Sequence, residues 1–264
     1  MAGRTTIKHA RFYADGYDLS GYTRQFGPLT WAYDTAEEAA LTDPVKGALP
    51  STANLGVGTL NGFFDNTATS GLHVVTSGAV NNGRVTMIPF GMRAAPVAGD
   101  PVYVGQFPQI GYQAETDANW LYANLNFGMV SKLAAINGKY SKPWGVLLHP
   151  NTAETAASTA VGVDDYGAAT AFGGYMVYQI FAVAGTGSVI IKVQDAATNT
   201  NPSFADLTGA TTGSIAHTAV PTAGVVAIGT TATVRRYLRF QVAITGITSV
   251  TFALAFVRSL APGV

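Results

Sequence analysis

The sequence predicts an all-β protein, mainly strand with one short helix, organised as two β domains of sandwich or barrel-like build. Three observations predict it. Apolar residues recur in short alternating runs, the period of a strand with one face in a core. Thirty glycines and 12 prolines punctuate the 264 residues, and Gly and Pro mark turns. Charge is scarce, with 11% Asp, Glu, Lys and Arg against about 25% in a typical soluble domain. A chain so poor in charge is expected to hide surface against copies of itself, which favours an assembly subunit over an enzyme.

The elements follow in order. A first strand is expected over Arg4–Tyr13, ending at Ala14-Asp15-Gly16, since Asp-Gly between β-type residues signals a hairpin. Gly21–Tyr33 reads as a second extended stretch, interrupted at Gly27-Pro28. The strongest helix signal is Asp34–Leu41. Asp34 or Thr35 suits its cap, and Glu37 and Glu38 suit its positive end. Pro44 stops it, and a polar connection runs on to Asn54. Strands are then expected over Leu55–Asp65, Gly83–Phe90, Val102–Gln106, Trp120–Ser131 and Gly145–His149. Gly99-Asp100-Pro101 marks a turn.

Low-complexity sequence over 151–172 reads as a linker, dividing the chain into domains at 1–160 and 161–264. The second part offers four strands, Gly174–Ala184, Gly187–Gln194, Tyr237–Ile244 and Val250–Val257. Val250, Phe252, Leu254 and Phe256 form a large apolar face, with the small Thr251, Ala253 and Ala255 between them. Leu238, Phe240, Val242 and Ile244 alternate with Arg235, Tyr237, Arg239 and Gln241 in the same way. Gly58–Val75 and Gly187–Leu207 share the order strand, Asp (Asp65, Asp195), polar loop, apolar run. That order suggests a duplicated plan.

A search for chemistry finds few parts. The chain has no cysteine, which removes disulfides and thiolate metal sites. His9, His73, His149 and His217 fall in no metal-binding spacing. Only His149, after a strand, is placed to reach a cleft. Asp15/Asp18, Glu37/Glu38, Glu115/Asp117 and Asp164/Asp165 are the paired carboxylates, and they suit turns better than a glycosidase pair. Asp164-Asp165 lacks the periodic ligand spacing of a calcium loop. No Gly-x-Ser-x-Gly elbow or dinucleotide fingerprint is present. No catalytic residue, metal or cofactor is therefore expected.

Fifteen bases balance 15 acids, so no global field pulls the chain toward nucleic acid or anionic lipid. Residues 1–8 lack the apolar core of a signal peptide, and no apolar run is long enough for a membrane helix. Synthesis in a cytoplasm and no membrane insertion are expected. Arg235, Arg236 and Arg239 form a basic cluster, read either as contact with an acidic partner or as edge charges that discourage wrong strand pairing. Tyr13, Tyr17 and Tyr22, and Tyr103, Phe107 and Tyr112, are aromatic groupings suited to an interface or a sugar platform as well as to a core.

The order of these features resembles the major tail tube proteins of long-tailed bacteriophages. The resemblance lies in the opening Thr5–Tyr13, the turn Asp15-Gly16, Tyr17–Tyr22, Gly27-Pro28-Leu29, the connection Thr35–Pro50 and Leu60–Asp65. Gly174–Phe181 and Thr251–Arg258 carry it into the second part. It implies a virion protein, made in a bacterial host, whose tail-tube-like barrel domains join into trimeric or hexameric rings. Stacked rings form the hollow tube that passes DNA into the host. The partners implied are further copies of the chain and the tape-measure, terminator and distal-tail proteins. The second domain is then a second tube-like half or an immunoglobulin-like decoration. An extended loop touches the next ring, for which 34–54 is the candidate, with Asp34, Glu37, Glu38, Asp43, Lys46 and Leu49 as contact residues. Arg235, Arg236 and Arg239 are candidate interface charges, on a strand face expected to lie away from the lumen, since clustered cations would hold DNA. The alternatives are another virion component (head decoration, connector or distal-tail protein) and a carbohydrate-binding β-sandwich.

Overall fold

The computed structural model describes residues 6–38, 47–78, 80, 83–117, 119–128, 142–156, 162–164 and 167–260. Within them the all-β expectation holds. The first part contains β1 (Tyr13–Ala14), β2 (Tyr17–Asp18), β3 (Thr23–Gly27), β4 (Thr30–Glu38), β5 (Gly47–Gly56) and β6 (Thr59–Phe63). The helix α1 (Leu72–Thr76), β7 (Gly83–Pro89), β8 (Pro101–Asp117), β9 (Trp120–Phe127) and β10 (Trp144–Glu154) follow. Then come β11 (Val163–Asp164), β12 (Gly174–Ala196), β13 (Ala205–Thr211), β14 (Ile215–Ala216), β15 (Thr222–Ile228) and β16 (Tyr237–Arg258). The backbone of the fold is one antiparallel sheet in the order β13-β12-β16-β10-β8-β7-β1-β2, which does not close into a barrel among the described residues.

Two local expectations are corrected. The segment read as the opening strand contains a single 3-10 turn at Ile7–His9, closed by Ala10 N–H donating to Ile7 O at 3.1 Å. Tyr13–Ala14 pairs with β2 and β7, and Ala10 forms a single bridge to Phe90; Arg4 and Thr5 lie outside the described residues. The helix expected from Asp34 is strand β4, paired with β5 from Thr30↔Gly56 to Glu38↔Gly47. Trp31, Tyr33 and Thr35 are β-formers at alternate positions, and pairing with β5 outweighs one cap and two acids. The helix that does form is α1, five residues long, with Thr76 Oγ1 donating back to Leu72 O at 2.6 Å.

The Asp15-Gly16 turn is as expected, with φ of +52° and +84°, the mirror-image geometry that matches strand twist. Gly16 is required twice over, because a Cβ there would lie 2.4 Å from Thr222 N. The segments compared as a duplication differ, since β6 leads toward a helix whereas β12 leads through a 3-10 turn (Asn201–Ser203) into β13.

The four strands expected in the second part are two long ones. β12 and β16 span 23 and 22 residues and pair from Gly174↔Arg258 to Ala196↔Tyr237. Register shifts fall at Ala184/Gly185 and Gly185/Ser188, where Gly185, Gly187 and Gly246 all take positive φ. A Cβ on Gly187 would meet Thr245 O at 1.9 Å. Glycine, which suggested strand ends, here makes bulges that bend continuous strands.

These strands separate two cores. In β16, Val250, Phe252, Leu254 and Phe256 point into one core with Met176 and Ile180 of β12 and Val146 and Leu148 of β10. Ala253, Ala255 and Val257 point into the other, with Tyr175, Val177, Leu147, Phe107 and Phe12. Both faces of the middle sheet are therefore dry. Burying a large side chain contributes about 1.5–3 kcal/mol, and small alanines on the second face allow the aromatic-rich layer to approach.

Candidate functional site

β4 and β5 form a two-stranded sheet that does not join the large sheet among the described residues. β4 has nine residues, about 30 Å at strand rise. Residues 31–37 and 47–49 are exposed throughout. Trp31, Tyr33 and Leu49 are 44%, 42% and 51% exposed, so the arm shows apolar side chains to its surroundings. An isolated hairpin is marginal in water.

The root of the arm is fixed. Leu55 and Val57 enter the first core. The Tyr103 hydroxyl lies 2.6 Å from Thr30 O and 2.9 Å from Gly56 O, and donates its one proton between them. Thr30 and Gly56 are the first rung of the hairpin. The Tyr103 ring is fully buried, stacked on Phe107 at 5.9 Å and edge-on to Trp144 at 5.1 Å. Burial pushes its phenol up to about 12, so it stays a neutral donor at neutral pH.

Of the candidate contact residues, Asp34, Glu37 and Leu49 are exposed on the arm, and Asp34 accepts from Asn54 Nδ2 at 2.6 Å. Glu38 lies in β4 opposite Gly47. Asp43 and Lys46 lie outside the described residues.

The three arginines sit apart from the arm in sequence and each has partners within the chain. Arg239 is 8% exposed, lies 4.4 Å over the Phe204 ring, and donates to Gln194 Oε1 at 2.8 Å and Asn201 Oδ1 at 2.6 Å. Arg235 N–H donates to Asp195 Oδ2 at 2.7 Å, with its guanidinium 3.9 Å from the same carboxylate. Arg236 donates to Asp164 Oδ2 at 2.9 and 2.6 Å and lies over Tyr237. Arg235 and Arg236 remain at the surface, whereas Arg239 turns inward.

His149 does not reach a cleft. It is 3% exposed, stacked on Phe252 at 4.1 Å, with Nδ1 3.0 Å from Phe252 O and Nε2 2.9 Å from Glu154 Oε1. Tyr13, Tyr103 and Phe107 belong to the core. No group of three His, Asp or Glu among the described residues is placed to hold a metal. None of the described helices is long and apolar enough to cross a membrane. The signal for the arm lay in the alternation of Trp31, Tyr33 and Thr35. The Tyr103 anchor had no local signal, because its acceptors are 73 and 47 residues away.

No family model matches the chain, and no curated protein matches it. Among solved structures it is similar to the SPP1 Dit (gp 19.1) protein, described as a paradigm of the hub adsorption apparatus in Gram-positive infecting phages. The identity is 12% and the TM-score 0.32, over 94% of this chain and 98% of that chain. At that score the likeness carries no argument about this chain.

Proposed function

We propose that this chain is a structural subunit of a phage tail that assembles with copies of itself, with the β4–β5 arm clasping a neighbouring copy. The observation that carries the reading is the arm itself, an anchored hairpin with exposed Trp31, Tyr33 and Leu49. Low charge supports it, since 11% charged residues cover little of a free surface. Edge strands support it too. Among the described residues β3 pairs only with β6, and β13 and β15 only with β12, and such edges accept strands from other chains. The tail assignment rests on the sequence resemblance to tail tube proteins.

In this reading the subunits form trimeric or hexameric rings and the arms join ring to ring. A head-to-tail contact of this kind propagates without closing, giving a hollow tube for passage of the genome. Tape-measure, terminator and distal-tail proteins would cap or fill it. The function is steric, and Arg235 and Arg236 are assigned to subunit surfaces outside the lumen, whereas the buried Arg239 is not.

The test is negative-stain electron microscopy with light scattering across a concentration series. Wild-type protein is expected to form rings or tubes. The triple variant Trp31→Ala/Tyr33→Ala/Leu49→Ala is expected to remain folded by circular dichroism and to lose stacking. Rings that never stack would assign the chain to a single-ring component instead. Tubes formed equally well by the triple variant would remove the arm from the contact.

A further inference from the structure

A second exposed aromatic surface lies on the outer face of the strands β6, β9 and β8. Trp120 is 62% exposed and Phe63 38%. Their rings meet edge to face at 5.5 Å and 65°. Tyr122 braces Phe63 from 5.4 Å, and the Arg24 guanidinium covers the Tyr122 ring at 5.1 Å. Trp120 therefore offers an open indole held in place by its neighbours.

A polar row runs beside it. Asn61 and Asn124 are cross-strand partners, and the Asn61 amide donates to Asn124 Oδ1. Asn124 in turn donates to Glu115 Oε2. Glu115 stands opposite Tyr122 and Asp117 opposite Trp120 across the β8–β9 ladder. Strand pleat sets this spacing: residues two apart share a face, so Trp120, Tyr122 and Asn124 line up.

We propose that this face binds a neutral oligosaccharide, with Trp120 as its stacking plane and the Asn61–Asn124–Glu115 row as its hydroxyl-binding edge. A sugar ring has an apolar C–H face that packs on an aromatic ring, and a rim of hydroxyls that both donate and accept. The amides supply both roles, and the carboxylate accepts. The charges choose among occupants. Glu115 and Asp117 outnumber Arg24, whose guanidinium covers the Tyr122 ring, so the face repels a phosphate backbone, which binding proteins neutralise with Lys and Arg. A second protein copy is disfavoured as well, because interface centres are depleted in Asp and Glu, and here two carboxylates border the indole. A neutral polyol meets neither penalty.

The full chain is titrated calorimetrically with hexamers of N-acetylglucosamine, glucose and galactose. At least one hexamer is expected to bind with a dissociation constant of about 1 mM or tighter. Trp120→Ala is expected to weaken it about tenfold or more, the loss of one aromatic contact. Trp31→Ala, on the arm, is expected to bind the hexamer as wild type does. Circular dichroism checks that both variants fold. No binding by any hexamer at about 10 mM, or unchanged affinity in Trp120→Ala, overturns the proposal. So does a loss of assembly in Trp120→Ala without glycan binding, which would make the face a contact between copies. Assembly and glycan binding are read separately, so either reading can fail while the other stands.

Discussion

Replacing Tyr103 with Phe removes one oxygen and keeps the ring. The packing on Phe107 and Trp144 is retained, so the cost comes from the carbonyls of Thr30 and Gly56. Gly56 is buried and Thr30 half-buried, so water replaces the hydroxyl poorly. A net hydrogen bond contributes about 1 kcal/mol, and leaving a buried acceptor unpaired costs about 1–3 kcal/mol. The total is about 1–3 kcal/mol, and the geometry localises it at the arm's root. Amide hydrogen exchange reads such local opening directly. Exchange at the root, in residues 30–33 and 53–56, is expected to accelerate roughly five- to hundredfold, while β12 and β16 keep wild-type rates. The arm would then sample more orientations, and the concentration needed for assembly would rise. An unchanged root, or an acceleration spread evenly over the whole sheet, would refute the reasoning.

Further outcomes follow from buried polar groups. Arg84 is 2% exposed and donates to Gln109 Oε1 at 2.6 Å, Asp15 Oδ2 at 2.9 Å and Val75 O at 2.9 Å. Arg84→Met is expected to lower stability in urea by about 1–3 kcal/mol. Most of the loss should come from the fully buried Gln109, since Asp15 is 37% exposed and can regain water. A loss below about 1 kcal/mol would contradict this account. Alkaline titration tests the buried phenols. Burial pushes Tyr103 up to about 12 and raises Tyr13 and Tyr175 as well. The folded state then keeps protons that the unfolded state releases near pH 10. Stability is therefore level below about pH 10 and falls as pH rises through the folded values, by up to about 1.4 kcal/mol per pH unit for each group. Denaturation midpoints between pH 8 and pH 11 measure the slope, and Tyr103→Phe is expected to reduce it.

Legibility in the sequence followed the range of the interactions. The Asp15-Gly16 hairpin was readable because its geometry is set by two adjacent residues. Val250, Phe252, Leu254 and Phe256 were readable because a strand's period shows in any core. The intervening Ala253 and Ala255 give no such signal, although both are fully buried. A two-sided strand looks one-sided when its second face is small. Asp34–Leu41 reads as helix because capping and acidic residues are local signals, whereas the partner strand β5 lies at Gly47–Gly56. Gly185 and Gly187 suggested strand ends because a bulge and a turn use the same positive φ. The surface of Trp120, Phe63 and Asn124 needed the β6–β9 register, which pairs residues about 60 positions apart.

The shared middle sheet also sets an order of events during synthesis. β16 leaves the ribosome after every other strand among the described residues, yet it lies between β12 and β10. Pairings at such sequence separation form slowly, because a long loop must close first. Until Arg258 has emerged, the first core lacks Ala253, Ala255 and Val257, and the second lacks Phe252 and Leu254. The emergence of β16 thus acts as a timer. A nascent chain from which β16 has not yet emerged therefore has no finished body behind its arm.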